Sequence, residues 1–408
     1  MNGKRETLGA YCSVTRFPFP VSRVRGGMTR ILLVPDPPLE RWPSMDRYAS
    51  RLAALLPGAA PDLAFAVAGP IAPLTWEDDA IERPSAPHIP PGGSLWGEAQ
   101  RYLHRYVRYP MRVARQSADL VHVLDHSYAH LVRAHRTRTL VTVHDLLPVI
   151  TVRRRAFTVR GRLRNALLRR VLLSLRRARA WIVATEWLRG ELAGWLGRDD
   201  GIQVVPYGVD EQFFESPAEP RAAIRQRLGL PPDAYVVLHV GSTVERKNVP
   251  AVIAGVAGLR ARGVEAWLLQ VGGRFTARQE AELAALELTD LTVQRSEAPE
   301  RELRAAYHAA DVLLFPSHYE GFGLPLLEAM ASGLPVVTSG AAALAEVAGD
   351  AAVVVASRDP ERFVDALVDL AGDPATARDL AARGRTRARG FSWAETARRT
   401  ADVYRALV

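Results

Sequence analysis

The sequence contains a single cysteine, Cys12, and lacks any apolar run of the ~18–20 residues that a membrane-spanning helix needs. One cysteine excludes an intramolecular disulfide framework and the paired Cys or Cys/His spacings of zinc sites. Residues 1–27 hold four arginines but no apolar segment of the kind found in secretory signals. These absences predict a cytoplasmic protein in which residues 1–27 form a disordered extension ahead of a first strand.

Lysine is the second scarce residue. Lys4 and Lys247 are the only lysines, against 51 arginines. The net charge of +9 is uneven: residues 1–200 hold 31 basic and 17 acidic residues, and the remainder holds 22 basic and 27 acidic residues. The basic character therefore belongs to the N-terminal half, and a lysine kept against this arginine-rich background becomes a candidate for a specific role.

Short apolar runs alternate with longer amphipathic stretches. This alternation is typical of parallel βαβ units, and apolar runs without strict alternation suit a sheet covered on both faces. The predicted strands of the first half are Ile31–Val34, Leu63–Ala68, Leu120–Leu124, Leu140–Val143, Trp181–Ala184 and Ile202–Val205. Those of the second half are Tyr235–Val240, Ala266–Val271, Leu291–Gln294, Val312–Phe315, Pro335–Thr338 and Ala352–Val355. The predicted helices include Asp46–Leu56, Arg164–Arg177, Glu300–Ala310, Leu326–Ala331 and a final helix at 393–407.

A first group of charged residues directly follows a predicted strand, in the segment HVGSTVERKN at 239–248. Gly241 has no Cβ and allows a ligand close to the backbone, and the N-terminus of the next helix favours an anion. Arg246 and Lys247 add two positive charges at the same edge. The segment suits phosphate binding, with an ordinary turn and solvated charges as the alternative; it does not match the GxxxxGK[ST] loop.

A second group lies in the segment from Pro316 to Val337. Glu320 is placed in the turn after a strand, two glycines follow it, and Pro325 suits the first turn of a helix. Glu328 lies about two helical turns further on. Carboxylates in these two places are able to bind pairs of hydroxyl groups, although each glutamate taken alone is as well explained by an ordinary turn or an exposed helix.

The string from Glu320 to Val337, EGFGLPLLEAMASGLPVV, resembles the donor-site signature of family-4 retaining glycosyltransferases of the GT-B fold. Three further segments agree with this resemblance. The segment 241–248 is similar to the family's phosphate-binding loop, 142–145 (TVHD) to a strand end in the N-terminal domain, and 391–393 (FSW) to the start of a closing helix. The resemblance covers residues 28–408 and is stronger in the second half.

The resemblance implies an α/β protein of GT-B fold, with two Rossmann-like domains whose parallel sheets face each other across a cleft. We expect an acceptor-side domain at 28–210, a donor-binding domain at 211–390 and a helix at 391–408 that packs back on the first domain. The implied reaction is retaining transfer of a hexose such as mannose, rhamnose or glucose from a nucleoside-diphosphate sugar to a glycan or lipid-linked acceptor, as in polysaccharide biosynthesis.

The resemblance also implies roles for individual residues. The residues expected at the donor sugar are Glu320, Gly321, Phe322, Gly323 and Leu324. The residues expected at the diphosphate are Gly241, Ser242, Arg246 and Lys247. Gly272, Gly273 and Arg295 are expected near the nucleobase. Glu328 would bind the ribose, and His144 would reach from the first domain towards the sugar and the reaction centre.

No metal or other cofactor is expected. The protein's main task in such a reaction is to stabilise negative charge on the leaving diphosphate, which two cations and a helix N-terminus can do without a divalent ion. Asp78-Asp79 and Asp199-Asp200 read as loop charges and not as metal ligands. In retaining enzymes of this fold the leaving phosphate is thought to take the acceptor proton, which fits the absence of an obvious carboxylate pair.

Two departures from the family pattern stand out. Many members have a G-x-G-R-Y loop after the first strand, whereas here Ser44-Met45-Asp46-Arg47-Tyr48 lacks both glycines. This loss puts a close approach of phosphate or acceptor there in doubt. Many members also have arginine where Ser242 stands, a loss for which Arg246 is a candidate replacement.

Two other patterns allow more than one interpretation. His122, His126, His130 and His135 surround one strand, but no carboxylate partner for a metal is obvious, and His126 better suits the interdomain cleft, facing the acceptor. Residues 153–179 contain eleven arginines and no acid, with apolar residues at Leu163, Ala166–Leu167, Val171 and Leu175. The favoured interpretation is a solvated face, and the alternative is adhesion to the anionic inner face of the membrane.

Competing functions are a nucleotide-sugar-binding partner subunit without activity, an inverting GT-B transferase and a sugar-nucleotide epimerase. The loss of the first glycine loop favours the inactive subunit, and the Glu320/Glu328 pair with the ERKN loop argues against the other two. Nucleic-acid binding is not expected, because no recognised module or basic groove with interleaved aromatic residues occurs.

Overall fold

The computed structural model describes residues 28–37, 43–68, 95–134, 138–153, 159–296 and 298–408. The predicted extension at 1–27, the pair Asp78-Asp79 and His135 lie outside these described residues.

The first sheet has six parallel strands in the order β2-β1-β3-β4-β5-β6. Its strands are β1 (Thr29–Val34), β2 (Leu63–Val67), β3 (Leu120–Val123), β4 (Thr139–Val143), β5 (Ala180–Val183) and β6 (Ile202–Val204). β3, β4 and β5 are buried at every position, because helices cover both faces of the sheet.

The second sheet also has six parallel strands, in the order β12-β11-β10-β7-β8-β9. Its strands are β7 (Tyr235–Gly241), β8 (Ala266–Gly272), β9 (Thr292–Arg295), β10 (Val312–Phe315), β11 (Val336–Ser339) and β12 (Val353–Val355). Numbered within the second half, this is the Rossmann order 3-2-1-4-5-6, in which the direction of winding reverses between β7 and β10. Ligands of such sheets bind at the carboxyl ends of the strands beside that reversal.

Helices connect the strands of both sheets. Those of the first half are α1 (Pro43–Ala59), α2 (Leu95–Leu103), α3 (Tyr109–Ala114), α4 (Leu147–Arg153), α5 (Val159–Leu175) and α6 (Glu186–Leu196). A π-helical turn at His104–Arg108 joins α2 to α3. Those of the second half are α7 (Arg221–Leu228), α8 (Val249–Ala261), α9 (Ala277–Ala285), α10 (Glu300–Ala309), α11 (Leu324–Ala331), α12 (Ala342–Ala348), α13 (Pro360–Gly372), α14 (Pro374–Ala388) and α15 (Trp393–Leu407).

The twelve predicted strands are confirmed, with shifts at their ends. One shift is at the start of β9. The sequence predicts that Leu291 begins this strand, but it ends a 3₁₀ turn and the strand begins at Thr292. The predicted domain limits at 210 and 390 stay predictions; the chain between the sheets runs from residue 205 to 234 and pairs at Val209 with Ser392.

The closing helix α15 packs against α1 of the first half, as expected. Ser392 caps its N-terminus by accepting a hydrogen bond from the Glu395 N–H. Near its other end, the buried Tyr404 hydroxyl lies 2.7 Å from Nδ1 of His122, which is also fully buried. The last helix therefore supplies part of the core beneath the first sheet.

Polar contacts at the N-terminus of α6 help to join the two halves. The Glu346 carboxylate of α12 accepts hydrogen bonds from the N–H groups of Glu186 and Trp187, at the N-terminus of α6. The Thr185 hydroxyl donates to the carbonyl of Gly321 at 3.2 Å. A carboxylate at a helix N-terminus is favoured by the helix dipole, so the first contact holds α6 against the second half.

Within the basic segment at 153–179, α5 covers Val159–Leu175. Only some of the apolar residues noted in its sequence form its buried face. Leu163 is 62% exposed and Ala166 is also exposed, whereas Val171 and Leu175 are buried as predicted. Asn165 is buried instead. The side of α5 that packs against the rest of the molecule therefore lies towards residues 165, 168, 172 and 175, and not towards Leu163 and Ala166. In the described part of the chain, no helix combines the length and apolarity needed to cross a bilayer.

Candidate active site

The neighbouring strands β7 and β8 both end in a glycine. Gly241 ends β7, Gly272 ends β8, and the two pair in register. Both have positive φ, +146° and +122°, and a Cβ on Gly272 would overlap the carbonyl of Gly241. A side chain at either position is therefore disfavoured, and the strand ends present bare backbone beside the winding reversal. Ser242 follows in an exposed position.

The loops after β7 and β10 are tied to each other. The His318 N–H donates to the carbonyl of Arg246 at 2.8 Å, and the Asn248 side-chain amide donates to the carbonyl of Pro316 at 3.3 Å. Because β7 and β10 are neighbours in the sheet, these bonds fix both loops at one edge. The structure thus brings the two predicted motifs, 79 positions apart between Gly241 and Glu320, into a single site.

Lys247 and Glu320 form a buried ion pair in this site. Lys247 Nζ lies 2.7 Å from Glu320 Oε1, and Arg246 Nη1 donates to the same oxygen at 2.9 Å. Burial lowers the pKa of Lys247 below its ordinary value, even though Glu320 opposes the shift. Burial also pushes the pKa of Glu320 up, but Lys247 and Arg246 outweigh it and hold that pKa below its ordinary value. The carboxylate is therefore ionised at neutral pH and faces two cations.

The ammonium of Lys247 occupies a tight pocket. It lies 4.7 Å from the centre of the Phe315 ring, and a Cβ built on Gly241 would come within 3.4 Å of its Cε. The buried His239 also stacks against this ring, and burial lowers the pKa of His239 to about 4. This histidine is consequently neutral near pH 7, whereas Lys247 brings a positive charge to the ring.

The turn after Glu320 is shaped by close packing across the cleft. A Cβ on Gly321 would overlap the carbonyl oxygen of His144, so only glycine fits there. Gly323 has φ +108° and precedes α11, whose first turn contains Pro325 as predicted. Phe322 is buried against Tyr207, with ring centres 4.9 Å apart. The turn is therefore held in place by the first half of the molecule.

Glu328 is buried on α11, and each of its two oxygens accepts one hydrogen bond. Its Oε2 accepts a hydrogen bond from the Tyr307 hydroxyl at 2.7 Å, and its Oε1 accepts one from the guanidinium of Arg47. Arg47 belongs to α1 of the first half, because 44–48 forms the start of that helix and not a loop. The alternative of an ordinary exposed helix residue is thus wrong for Glu328.

His144 meets the site through its backbone and not through its ring. Nε2 lies 2.8 Å from the carbonyl of Leu124, so it donates, and Nδ1 accepts from the Tyr207 hydroxyl at 2.5 Å. Burial lowers the pKa of His144 to about 4. The ring is neutral near pH 7, and both its nitrogens are hydrogen-bonded within the protein. That this ring reaches a sugar stays a prediction, because the ring would first have to give up its hydrogen bond to Tyr207 or to Leu124.

The other histidines near β3 form hydrogen bonds within the protein. His122 lies between Tyr404 and Thr142, and His130 Nε2 donates to the carbonyl of Arg105. His126 is buried, with Nδ1 accepting from the N–H of His144 at 3.3 Å. Across the described ranges there is no group of three or more His, Cys, Asp or Glu side chains suited to a metal ion.

The residues expected near a nucleobase lie along one edge. The Gln294 side-chain amide donates to the carbonyl of Gly273 at 3.3 Å, and Gly273 packs against Ser242 and Thr243. Arg295, at the end of β9, donates to the carbonyl of Leu228 at 3.0 Å. The guanidinium of Arg295 is therefore hydrogen-bonded to α7, whereas the end of β9 that carries Arg295 lies beside Gly272.

Two family models match the chain, one described as Glycosyl transferases group 1 over residues 220–387 and one as Glycosyltransferase Family 4 over residues 70–213. The chain belongs to the family-4 glycosyltransferases. The two matches meet between the sheets, and the expected GT-B fold of this family is confirmed.

The D-inositol 3-phosphate glycosyltransferase of Kineococcus radiotolerans is 36% identical over 248 residues, covering 56% of this chain and 57% of that protein. The protein of the same description from Thermobispora bispora is 37% identical over 216 residues, covering 50% of each chain. The chain thus spans about half the length of the curated relatives that it matches.

Solved structures share the fold at lower identity. Sucrose-phosphate synthase of Thermosynechococcus elongatus has a TM-score of 0.70 at 22% identity, covering 92% of this chain and 98% of that chain. HepE of Anabaena, solved with UDP-glucose, has a TM-score of 0.67 at 15% identity, covering 91% of this chain and 98% of that chain. At these identities the likeness establishes the GT-B fold of this family-4 protein.

Sequence reasoning missed the residues around Glu328. Tyr307, Glu300, Asp210 and Arg47 all approach this carboxylate or its partner. One signal was available, because Arg47-Tyr48 keeps the last two residues of the G-x-G-R-Y pattern. Tyr48 is fully buried and lies 3.0 Å from the hydroxyl of Thr142, which leaves Arg47 directed at the second half.

Proposed function

We propose that this protein is a retaining glycosyltransferase that moves a hexose from a nucleoside-diphosphate sugar to a glycan or lipid-linked acceptor. The carrying observation is the convergence of Arg246, Lys247 and Glu320 at the carboxyl edge of the second sheet, beside the winding reversal. Two cations suited to a diphosphate lie there in ion pairs with one carboxylate, which is suited to sugar hydroxyls. The relatives named D-inositol 3-phosphate glycosyltransferase support this chemistry in outline.

The proposed roles follow from charge and position. The diphosphate would lie on the backbone at Gly241 and Gly272 and against Lys247 and Arg246, which stabilise it as negative charge grows on departure. Glu320 would accept hydrogen bonds from the sugar hydroxyls. Because Lys247 touches Glu320, the same ammonium lies between the sugar site and the leaving group, where its charge acts on both.

The proposed bond changes balance without a further reactant. The bond from the anomeric carbon to the phosphate oxygen breaks, and a bond from that carbon to the acceptor oxygen forms on the same face. The proton of the acceptor hydroxyl passes to the leaving phosphate oxygen. His144, neutral and engaged through both ring nitrogens, is not required to carry this proton.

Transfer by the purified full chain tests the proposal. A panel of nucleoside-diphosphate hexoses with different bases is first ranked by thermal stabilisation, because a ligand of the folded state raises the unfolding midpoint. The stabilising donor is then assayed for sugar release and transfer, with the anomeric configuration of the product read by NMR. Stabilisation without turnover would support an inactive binding subunit, and an inverted product would contradict the retaining mechanism.

We expect transfer to persist without a divalent metal. Lys247 and Arg246 provide the charge that a metal ion would otherwise bring to the diphosphate. Turnover measured after exhaustive EDTA treatment should match that of untreated protein. Loss of activity in chelator, with recovery on adding magnesium or manganese, would show that these cations are insufficient.

We also propose that the basic helix α5 faces an anionic membrane surface at the inner face of the membrane. Exposed leucines, Leu163 at 62% and Leu173 at 55%, alternate there with exposed Arg162, Arg164 and Arg169. Apolar side chains among arginines suit the boundary between headgroups and acyl chains. Further apolar side chains are exposed between Tyr102 and Met111.

Sedimentation with lipid vesicles tests this surface. The protein should pellet with vesicles rich in phosphatidylglycerol at low salt, pellet less at high salt, and stay in solution with phosphatidylcholine alone. Replacing Arg162, Arg164 and Arg169 with glutamine should abolish pelleting. The matched control replaces three exposed arginines of the second half, at 362, 378 and 389, and should pellet as wild type. Equal behaviour of the two triple variants would favour a solvated face.

A further inference from the structure

An arginine of the first half reaches Glu328, the carboxylate to which the family resemblance gives the donor ribose. Arg47 lies near the start of α1, and its guanidinium contacts Glu328, 281 positions further along the chain. The same guanidinium lies 3.7 Å from Asp210 Oδ2 and 3.7 Å from Glu300 Oε2. The Arg47 side chain is 15% exposed, so solvent screens this contact far less than a surface ion pair.

The carboxylates around Arg47 outnumber the guanidiniums that contact them. Three carboxylates, Asp210, Glu300 and Glu328, share two guanidiniums, those of Arg47 and Arg51. The pKa of Glu300 is raised to about 7, mainly by burial, with Asp210 and Glu328 adding to the shift and Arg47 opposing it. Removing Arg47 would leave carboxylates that repel one another beside the ribose site.

The Glu328 carboxylate is held from two directions and still has unused acceptor sites for hydrogen bonds. Tyr307 of α10 binds Oε2 and Arg47 of α1 binds Oε1. A carboxylate has about four acceptor sites, two on each oxygen, so one site on each oxygen is left. A vicinal diol needs this arrangement, with one hydroxyl donating to each oxygen of a carboxylate whose rotation is fixed.

We propose that Arg47 is a positioning residue that crosses the cleft and orients the Glu328 carboxylate for the ribose diol. The inference rests on the proposed function and on the ribose-binding role that the family resemblance implies for Glu328. The first half then contributes to nucleotide affinity through Glu328 without itself touching the nucleotide.

Nucleotide titrations by calorimetry test the inference. UDP, GDP and ADP are first compared on the full-length wild-type protein, and the tightest is then used together with its 2′,3′-dideoxy counterpart. Arg47→Gln should weaken the ribonucleotide about tenfold, the usual effect of one charge-assisted hydrogen bond, and leave the dideoxynucleotide nearly unchanged. Arg51→Gln is the matched control, because it removes a charge one helical turn away whose partner is Asp210, 2.6 Å distant.

Several outcomes would overturn the inference. These are unchanged or tighter ribonucleotide binding by Arg47→Gln, an equal loss for both nucleotides, or an equal loss in Arg51→Gln. If Arg47→Gln fails to fold, Arg47→Lys keeps the charge but not the planar fork and should weaken the ribonucleotide selectively. A wild-type protein that binds none of the three nucleotides would overturn the proposed function as well, which separates the two failures.

Discussion

Glu320→Ala should abolish detectable glycosyl transfer. The substitution removes the carboxylate that we place at the sugar hydroxyls, and it leaves Lys247 as a buried cation without its 2.7 Å partner. Removing one member of a buried ion pair costs about 3–5 kcal/mol of folding free energy, so stability will fall as well. Turnover must therefore be measured below the unfolding midpoint of the variant, on protein shown to be folded by circular dichroism.

Two further variants separate catalysis from stability. Glu320→Gln keeps the shape of the side chain and one carbonyl acceptor, and we expect a folded protein with turnover still reduced at least tenfold. Asp311→Asn is the matched control, since Asp311 pairs with Arg225 at 2.7 Å but precedes β10, at the opposite end from Glu320. It should lower the unfolding midpoint and keep turnover; wild-type turnover in Glu320→Ala would remove Glu320 from the site.

Lys247→Ala should lower turnover by about ten- to a hundredfold. One lost charge-assisted contact to the leaving diphosphate is worth about 1.5–3 kcal/mol, and about 1.4 kcal/mol corresponds to one decade of rate. The effect should fall on kcat, because charge on the leaving phosphate grows towards the transition state. Steady-state kinetics with the identified donor measures it.

Lys247→Arg should also impair transfer, although the charge is kept. The ammonium fits between Gly241, the Phe315 ring and Glu320, where the longer planar guanidinium meets backbone and ring. Arg262→Lys, an exchange of the same two residue types at an exposed position, is the control and should leave kinetics unchanged. Wild-type kinetics in Lys247→Ala would show that this lysine is not part of the phosphate site.

The second half of the molecule was the more predictable part from sequence. Its apolar strands are short and uninterrupted, as in β10, and the residues that bind ligands in such sheets follow the strand ends directly. Glu320 and Lys247 were therefore found from their place in the sequence pattern. Their direct ion pair was not, because it depends on the neighbouring positions of β7 and β10 in the sheet.

The first half was less predictable because its polar contacts are between distant parts of the chain. Helical periodicity identified the helix at 164–177 but misplaced part of its buried face, since apolar residues occur around most of this helix and do not mark one side. Arg47 shows the same limit. The loss of the two glycines was visible, but the bond from Arg47 to Glu328 requires both sheets in place.

The packing of α15 on α1 has a consequence for how the chain is made. Tyr404 closes the core under the first sheet by contacting His122, and Arg405 binds Asp62 at 2.6 Å. During synthesis the ribosome releases residues 29–204 long before residues 393–407 exist. The surface of the first half that α15 will cover therefore stays exposed to water until the whole second half has been translated. A nascent chain stalled before residue 393 should consequently be the species most in need of chaperones.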